Sequence, residues 1–162
     1  ELYLQALHKT ASMSLIQYEV SNFAKADFQS RSNLKVWDGQ PYLGLGCGAH
    51  SFDGVNRWGN VRSMRKYMES VGREEPPRDF METPTRLQQA SERLMLSLRR
   101  PEGLNILSWQ EEFQIGLSLE QKNQMEKLKD QDLVSWESPI LKLTTEGMLL
   151  ADAITAELMP EA

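Results

Sequence analysis

The sequence predicts an α/β segment followed by an α+β segment with the element order of a winged helix, and three patterns carry this prediction. Near the N-terminus, apolar residues at helical spacing are followed by a run of β-favouring residues. A second apolar run then enters a glycine-rich turn at residues 44–48. After residue 85 the patterns follow the order helix, short strand, two helices, β-hairpin and a last helix. We therefore expect two structural segments in the 162 residues.

In the first segment, the spacing of Leu4, Leu7 and Ala11 predicts a helix from Glu1 to about Ser12. The β-favouring residues of Leu15 to Phe23 predict a strand, and a second apolar run covers Pro41 to Gly46. Asn60 is expected to cap a helix that ends near Gly72. The first segment is therefore assigned to residues 1–72.

Prolines and acidic residues dominate residues 73–84, which predicts a linker there. The second segment, residues 85–162, begins with a helix that Thr83 and Pro84 open. Asn105 is expected to cap the next helix, and Ser118 with Gln121 forms a capping box for the third. Two apolar runs around Glu137-Ser138-Pro139 predict a hairpin, Leu133–Trp136 and Ile140–Thr144. A last helix follows from Thr145, with Leu150, Ile154 and Leu158 facing inward.

The composition is that of a folded protein with an acidic balance. Eighteen Lys and Arg against twenty-three Asp and Glu give a net charge of −5, which argues against nucleic acid as a partner. The only cysteine, Cys47, excludes an intrachain disulfide, a cysteine-rich zinc site and a self-contained iron–sulfur site. We therefore expect a reducing compartment and a cytoplasmic location. No apolar run approaches the ~20 residues of a membrane span, so no transmembrane segment is predicted.

The densest unusual stretch is Gly44-Leu45-Gly46-Cys47-Gly48. A dinucleotide-binding fingerprint needs a helix directly after its glycines, whereas Phe52-Asp53-Gly54 predicts another turn. Glycines at alternate positions leave a backbone without side chains, which either bends sharply or lies against a flat ligand. Both interpretations stay open from the residues alone.

A few polar residues are candidates for chemistry, each with a structural alternative. His50 suits an acid, a base or a ligand near neutral pH, or a hydrogen-bonded structural residue. Cys47 has no partner at ligand spacing and is interpreted as a packed thiol. Glu19, Asn22 and Asn33 lie near predicted strand ends, where an α/β barrel places its chemistry, although turn capping explains the asparagines equally well.

Three separated motifs carry a family resemblance. They are Tyr18-Glu19-Val20-Ser21-Asn22-Phe23-Ala24, then Arg31, Asn33 and Trp37, then Tyr42-Leu43-Gly44-Leu45-Gly46-Cys47-Gly48-Ala49-His50-Ser51. In order and spacing they closely resemble the oxygen-independent coproporphyrinogen III oxidase-like radical SAM proteins, the HemN/HemW family, which includes haem chaperones. Leu96-Ser97-Leu98-Arg99, Gly103-Leu104 and Leu143-Thr144-Thr145-Glu146-Gly147 resemble the C-terminal domain of that family.

The resemblance implies the last strands and helices of a partial (β/α) radical SAM barrel followed by a winged-helix-like cap. A full-length parent would hold S-adenosylmethionine (SAM) and a [4Fe–4S] cluster and act on a tetrapyrrole, either haem or coproporphyrinogen. The family's three-cysteine cluster motif is absent from these residues. The chain is therefore expected to bind no cofactor alone and to perform no radical chemistry, with the remaining N-terminal barrel as its partner. The start at Glu1, without an initiator Met, suggests a piece of a longer protein.

The resemblance also implies site residues. It puts Gly46, Gly48, Ala49 and His50 beside the adenosyl group of SAM. The substrate-side candidates are Glu19, Asn22, Arg31, Asn33 and Trp37. No catalytic residue and no metal ligand is assigned within this chain.

Three positions, in two motifs, depart from the family pattern. Family members usually have Pro where this chain has Cys47. Chaperone-type members usually read Arg-His-Asn-x-x-Tyr-Trp, whereas this chain has Ser32 and Val36 at the His and Tyr positions. Serine does not ligate iron as imidazole does, so haem handling through this motif is in question.

Two functions from different classes follow. The first is the C-terminal part of a tetrapyrrole oxidase or haem chaperone, which supplies the SAM-side barrel wall and a cap. The alternative is a winged-helix interaction module for a protein partner or, less favoured, nucleic acid. The predicted third helix carries Lys122, Lys127 and Lys129, offset by Glu120, Glu126 and Asp130. A helix that reads nucleic acid is expected to be more basic.

Overall fold

A computed structural model of the protein describes residues 2–160. The chain divides into two compact units, each described here by itself. The helical unit comprises the residues up to Arg31 together with those from Arg86 onward, and the sheet unit comprises Ser32–Thr85. The elements in chain order are α1 (Leu2–Ser12), β1 (Ile16–Gln17), β2 (Phe23–Ala24), α2 (Arg31–Trp37), β3 (His50–Phe52), β4 (Arg57–Asn60), α3 (Met64–Gly72), β5 (Arg78–Glu82), α4 (Arg86–Leu98), β6 (Leu104–Asn105), α5 (Ile106–Phe113), α6 (Leu119–Asp130), β7 (Val134–Glu137), β8 (Ile140–Leu143), α7 (Thr145–Leu149) and α8 (Ala151–Leu158).

The helical unit contains the hydrophobic core of the chain. Helix α4 contributes Ala90, Leu94 and Leu98 at helical spacing, and α5 packs against it. The indole N–H of Trp109 donates to the Ala90 carbonyl at 3.0 Å, which satisfies the one polar atom of that buried ring. The remaining buried apolar residues are Leu104, Ile106, Phe113, Met125, Leu128, Val134, Leu141, Leu143, Ala151, Ile154 and Leu158.

A three-stranded antiparallel sheet with the order β6-β8-β7 closes this core. Strand β8 is central and pairs Leu141 with Leu104 and Leu143 with Val134. Alternation along β8 buries Leu141 and Leu143 and exposes Lys142. Gly147 is buried in α7, and a Cβ there would lie 1.8 Å from the Leu133 carbonyl oxygen. Only glycine therefore allows α7 to approach the sheet this closely.

Two predicted helix starts with local capping signals are confirmed in this unit. The Asn105 side chain accepts from the Ser108 N–H and begins α5. Ser118 and Gln121 form a reciprocal capping box at the start of α6. The predicted opening of α4 by Thr83 and Pro84 is wrong, because α4 begins at Arg86 and the Thr83 hydroxyl donates to the Asn56 side-chain oxygen at 2.7 Å. Each cap is a contact within one turn, so neighbouring sequence alone determines it.

The last helix differs from its prediction. It is interrupted at Leu150, where the N–H bonds back to the Gly147 carbonyl at 2.9 Å and α7 ends. Ile154 and Leu158 are buried as expected, whereas Leu150 is 48% exposed. The interruption rotates Leu150 away from the side on which Ile154 and Leu158 pack.

The predicted strand from Leu15 to Phe23 is wrong. Two two-residue strands, β1 and β2, form a hairpin there, and the Tyr18 N–H donates to the Asn22 carbonyl at 3.1 Å to close its turn. The Gln17 side-chain amide also donates to the Val20 carbonyl at 3.0 Å, which fixes the turn from inside. The β-favouring residues are therefore divided by a tight turn that their apolar pattern conceals.

The sheet unit contains a second three-stranded antiparallel sheet, with the order β3-β4-β5. Its edge strand β5 lies inside the predicted linker, residues 73–84, so that stretch is not irregular throughout. Every residue of β5 is exposed, which explains why its composition resembles that of a linker. All strand pairings within residues 2–160 are antiparallel, and the expected partial barrel stays a prediction.

Two further expectations in the sheet unit are corrected. Residues 41–46 do not form a regular strand, although Tyr42 makes an isolated antiparallel bridge with Phe52. Helix α3 begins at Met64 after the cap residue Ser63, not after Asn60. Asn60 is instead the last residue of β4, and its side-chain amide donates to the Gly46 carbonyl at 2.9 Å. The predicted domain boundaries stay a prediction, and the compact units meet along the chain after Arg31 and after Thr85.

No helix within residues 2–160 is long and apolar enough to cross a membrane.

We predict that Leu143→Ala lowers the free energy of unfolding by ~2–5 kcal/mol, because Leu143 is buried where β8 faces the core. Its neighbour Lys142 is exposed, so Lys142→Ala serves as the matched control and is expected to change stability by no more than ~0.5 kcal/mol. Urea unfolding followed by far-UV circular dichroism measures both. Equal, small effects would mean that the hairpin does not contribute to the core.

Candidate functional site

The candidate site is the glycine turn, defined here as residues 44–50. Gly46 and Gly48 have φ of +99° and +69°, conformations that side-chain-bearing residues rarely adopt. Gly44 is constrained differently, because a Cβ there would lie 2.1 Å from the His50 carbonyl oxygen. Two glycines therefore permit the bend and the third permits a close approach of two backbone segments.

Three side chains hold the glycine turn by hydrogen bonds to its backbone. The Ser51 hydroxyl accepts from the Gly44 N–H at 2.9 Å. The Tyr67 hydroxyl accepts from the Gly46 N–H at 3.2 Å. The side-chain amide of Asn60 donates to the Gly46 carbonyl at 2.9 Å. Both polar groups of the Gly46 backbone are thus engaged, and the turn has a fixed conformation.

These side chains are protected from water to different degrees. Ser51 is 0% exposed and Asn60 is 8% exposed, whereas Tyr67 is half-buried. Buried hydrogen bonds to backbone groups are costly to lose, because the remaining partner stays desolvated. Two backbone hydrogen bonds join the turn to the segment at residues 60–61. The Gly48 N–H donates to the Val61 carbonyl at 3.0 Å, and the Asn60 N–H donates to the Ala49 carbonyl at 2.9 Å.

At Gly46 the space that a Cβ would occupy has no atom within 4 Å. Near Gly48 the closest atom to such a Cβ is a side-chain carbon of Arg62, at 3.7 Å. The turn therefore presents bare backbone to open space, a surface that suits the face of a planar group. Cys47, between the two glycines, is half-buried and makes no disulfide.

His50 is the first residue of β3 and is exposed. Its ring meets the ring of Phe80 on β5 edge-on, with the centroids 5.5 Å apart. A Cβ on Gly59 would lie 2.4 Å from the Phe80 ring, so the ring lies directly over the β4 backbone. Phe80 thus fixes one side of the His50 imidazole, and the other side is open to solvent.

The β3–β4 hairpin that orders His50 and Asn60 turns at Asp53. The Asp53 carboxylate accepts from the backbone N–H groups of Asn56, at 2.6 Å, and Val55, at 2.8 Å. These hydrogen bonds lower the pKa of Asp53 below its ordinary value of 3.8, and the hydrogen bond from Asn56 has the largest effect.

The substrate-side candidates of the helical unit include Glu19 and Asn22, which share the β1–β2 turn. The Glu19 carboxylate is buried and accepts from the backbone N–H of Ser21 at 3.2 Å and from its hydroxyl at 3.3 Å. Asn22 is half-buried, and its carbonyl closes the turn. Local hydrogen bonding therefore accounts for the Glu19 carboxylate, whereas the Asn22 contact is made by its backbone.

The candidates Arg31, Asn33 and Trp37 all lie on α2. Asn33 and Trp37 are four residues apart and share one helix face, where both are half-buried. Arg31 precedes Asn33 by two residues, so it points to a different side of α2 and is exposed. Ser32, the position that departs from the chaperone pattern, is also exposed.

Gly46, Gly48, Ala49 and His50 therefore lie together in one turn, Glu19 and Asn22 lie in another, and Asn33 and Trp37 share a helix face. Sequence reasoning missed the residues that hold the glycine turn, Ser51, Asn60 and Tyr67. Asn60 was available as a signal, but its position before α3 suggests a helix cap. Within residues 2–160 no group of three or more His, Cys, Asp or Glu side chains is arranged to hold a metal ion.

A groove of about 290 Å³ in the helical unit contains none of the predicted site residues. It is lined by Ser118, Glu120, Gln121, Gln124, Lys127, Glu157 and Met159. The side-chain amide of Gln121 donates to the Leu158 carbonyl at 2.9 Å, so this lining residue joins α6 to α8.

Comparison with solved structures indicates the class of protein that this fold resembles. The structure resembles that of Escherichia coli coproporphyrinogen III oxidase, HemN, described as a radical SAM enzyme, with a TM-score of 0.75 over 96% of this chain and 16% sequence identity. That match supports the fold, and the chain covers 39% of the HemN chain. No family model matches the sequence.

The sequence comparisons are more specific. The chain is 30% identical to the heme chaperone HemW of Bacillus subtilis over 162 residues, 99% of this chain. It is 31% identical to HemW of Mycobacterium tuberculosis strain H37Rv over 142 residues, 88% of this chain. It spans 42% of the length of the first relative and 34% of the second. These similarities support a HemN/HemW-like C-terminal part, as the three motifs predicted.

We predict that Gly46→Ala destabilises the glycine turn by about 1–3 kcal/mol, because alanine is strained at a φ of +99°. The matched control is Gly72→Ala at the end of α3, where φ is not in the left-handed region and the added methyl meets nothing within 4 Å. Hydrogen exchange of the Gly48 and Asn60 amides, followed by NMR, reports the local opening. Faster exchange only in Gly46→Ala is expected, and equal rates in both variants would contradict the constraint.

Proposed function

We propose that this chain is the C-terminal part of a haem chaperone-like radical SAM protein that acts in haem metabolism. The supporting observation is its similarity to HemW along 99% of its residues, at 30% identity. The oxidase alternative rests on a structural match at 16% identity, which supports the fold alone. A tetrapyrrole, haem in the first instance, is the proposed ligand of the parent protein.

Within that protein, the proposed role of the glycine turn is to contact the adenosyl side of SAM. The bare backbone at Gly46 faces open space that has room for a planar ring, and Ser51, Asn60 and Tyr67 hold the turn in shape before any ligand arrives. Preorganisation of this kind lowers the ordering cost of binding. His50, which is exposed at the end of the turn, is available for a polar contact. The chemistry of SAM itself would be radical generation.

The residues of this chain do not fit a [4Fe–4S] cluster. Such a cluster is held by several thiolates, and Cys47 is the only cysteine. We therefore propose that the cluster belongs to the remaining, N-terminal barrel of the parent. The part proposed for this chain is to bind and cover, not to generate a radical.

The proposed role of residues 85–162 is a winged-helix-like cap. In support, α4, α5 and α6 pack with the β6-β8-β7 sheet around one core, in the order that such domains use. A nucleic-acid role is disfavoured, because the exposed lysines of α6 alternate with acidic residues. These residues are Glu120, Lys122, Glu126, Lys127, Lys129 and Asp130.

Helix α2 departs from the family's chaperone pattern, which bears on haem contact. The family pattern places a histidine where this chain has Ser32, and a hydroxyl is a poor iron ligand. The histidines of the chain are His8 on α1 and His50. We therefore propose that axial ligation of haem in this protein does not come from α2.

We predict that the unaltered chain binds haem weakly and gives no sharp imidazole-type Soret shift in a spectrophotometric titration. Ser32→His is expected to create a ligated spectrum, because it restores an imidazole at an exposed position of α2.

Two controls sharpen this titration. Ser30→His adds an imidazole just before α2, outside the motif, and is expected to give no comparable shift. His50→Ala combined with Ser32→His is expected to keep the gain, since His50 belongs to the glycine turn. Tight haem binding by the unaltered chain that His50→Ala abolishes would contradict both the site assignment and the proposed function of α2.

A further inference from the structure

The sheet unit lacks a hydrophobic core of its own. None of its Val, Leu, Met, Phe, Trp or Tyr side chains is buried, although all of its residues are described. Large apolar side chains are instead exposed throughout the unit. They are Val36, Leu43, Leu45, Val55, Met64, Met68, Val71, Phe80 and Met81. A domain is normally built from at least two layers that bury apolar surface between them, so one layer is missing here.

Helix α3 concentrates this exposed surface. Met64, Met68 and Val71 follow the spacing of one helix face, and their exposures are 64%, 59% and 47%. The opposite face is polar, with Lys66 and Glu69. We call Met64, Met68 and Val71 the α3 face. Its three members carry no polar group, so water gives them no compensating interaction.

The α3 face is not the product of a frayed helix. The Ser63 side chain accepts from the Lys66 N–H and caps the helix start. Arg65 and Glu69 form an ion pair at 2.9 Å on the polar side. Tyr67 ties the helix to Gly46. Hydrogen bonds and an ion pair within the chain therefore stabilise α3, whereas the apolar side chains of the α3 face stay exposed.

The length of the relatives indicates what covers the α3 face. This chain spans 42% of the Bacillus subtilis HemW length and 39% of the HemN chain, so most of each relative has no counterpart in it. A second copy of this chain would add another coreless sheet unit and only a short stripe of contact. The remaining part of the parent is long enough to add a whole layer.

We propose that the α3 face is the docking surface for that remaining part of the parent polypeptide, the part of HemW-like proteins with no counterpart in this chain. This inference rests on the proposed membership of a longer HemW-like protein, but not on haem or SAM binding. Tyr67 lies between the two features, because it shares α3 with the α3 face and accepts from Gly46. The docking surface and the support of the glycine turn therefore share one helix.

The test is methionine oxidation by dilute hydrogen peroxide, read by mass spectrometry. The chain is studied alone and after co-expression with the part of Bacillus subtilis HemW that it does not cover. Met125, which is 1% exposed, is the buried standard, and free methionine in the same solution is the exposed standard. Alone, Met64 and Met68 are expected to react at rates close to free methionine. In the complex both are expected to slow by about tenfold or more, as for fully buried groups at an interface centre.

A pair of charge variants separates the two faces of α3. Met68→Lys places an ammonium group in the proposed contact and is expected to reduce capture of the co-expressed polypeptide by about tenfold or more. Lys66→Glu reverses a charge on the polar face and is expected to leave capture within about twofold. Circular dichroism confirms that both variants keep their helices, and Met68→Ala offers a milder version of the first change.

Three outcomes would overturn the proposal: no capture of the co-expressed polypeptide, capture with Met64 and Met68 as reactive as before, or protection of the chain alone that increases with its own concentration. The last would assign the α3 face to a second copy. Protection in a complex that binds neither haem nor SAM would support the docking surface and refute the proposed function. Haem binding without protection of Met64 and Met68 would support the proposed function and refute the docking surface.

Discussion

The conformation of the sheet unit depends on hydrogen bonds to one short stretch of backbone, the glycine turn. Ser51, Asn60 and Tyr67 reach it from β3, from the end of β4 and from α3, so the turn joins three elements that are separate in sequence. Each hydrogen bond contributes little net free energy, about 1 kcal/mol, but leaving a buried partner unpaired costs more. The turn therefore determines geometry more than it contributes stability.

Stability resides in the helical unit. Burial of apolar surface contributes about 25 cal/mol per Å² and is the main force that offsets the entropy lost on folding. In this chain such burial is concentrated between Ala90 and Leu158, where helices and sheet enclose one core. The sheet unit has no equivalent source of free energy. Its polar network includes Tyr67 of α3, the helix that carries the proposed docking surface. Helix α3 therefore connects the candidate site to the proposed partner.

Two helix starts and the buried face of α4 in the helical unit were predictable from sequence because their signals are local. Caps at Asn105 and Ser118 act within one turn, and the apolar spacing of α4 identifies its buried face directly. The sheet unit was less predictable because its important contacts are long-range. Asn60 bonds to Gly46 across fourteen positions and Tyr67 across twenty-one, and neither pairing has a local pattern. The exposed strand β5 resembles a linker for the same reason, since only its pairing with β4 makes it regular.

The glycine turn itself was identified from sequence, but its support was not. Alternate glycines predict bare backbone, which Gly46 and Gly48 provide through positive φ angles. His50 is the last residue of the turn and also begins β3, where its ring meets that of Phe80. The family resemblance supplied what geometry within the chain did not, namely a ligand class for this surface. The departures at Cys47 and Ser32 remain differences that the motifs reveal and the fold tolerates.

The central claim is that a hydrophobic core stabilises one unit and polar contacts hold the other. Native-state hydrogen exchange of the whole chain tests it most directly. Amides of α4 and β8 are expected to exchange only through the largest opening, with the global free energy of unfolding. Amides of β3 and β4 are expected to exchange through smaller openings, several kcal/mol lower. Equal protection of the two sets, with a single opening free energy, would contradict the account.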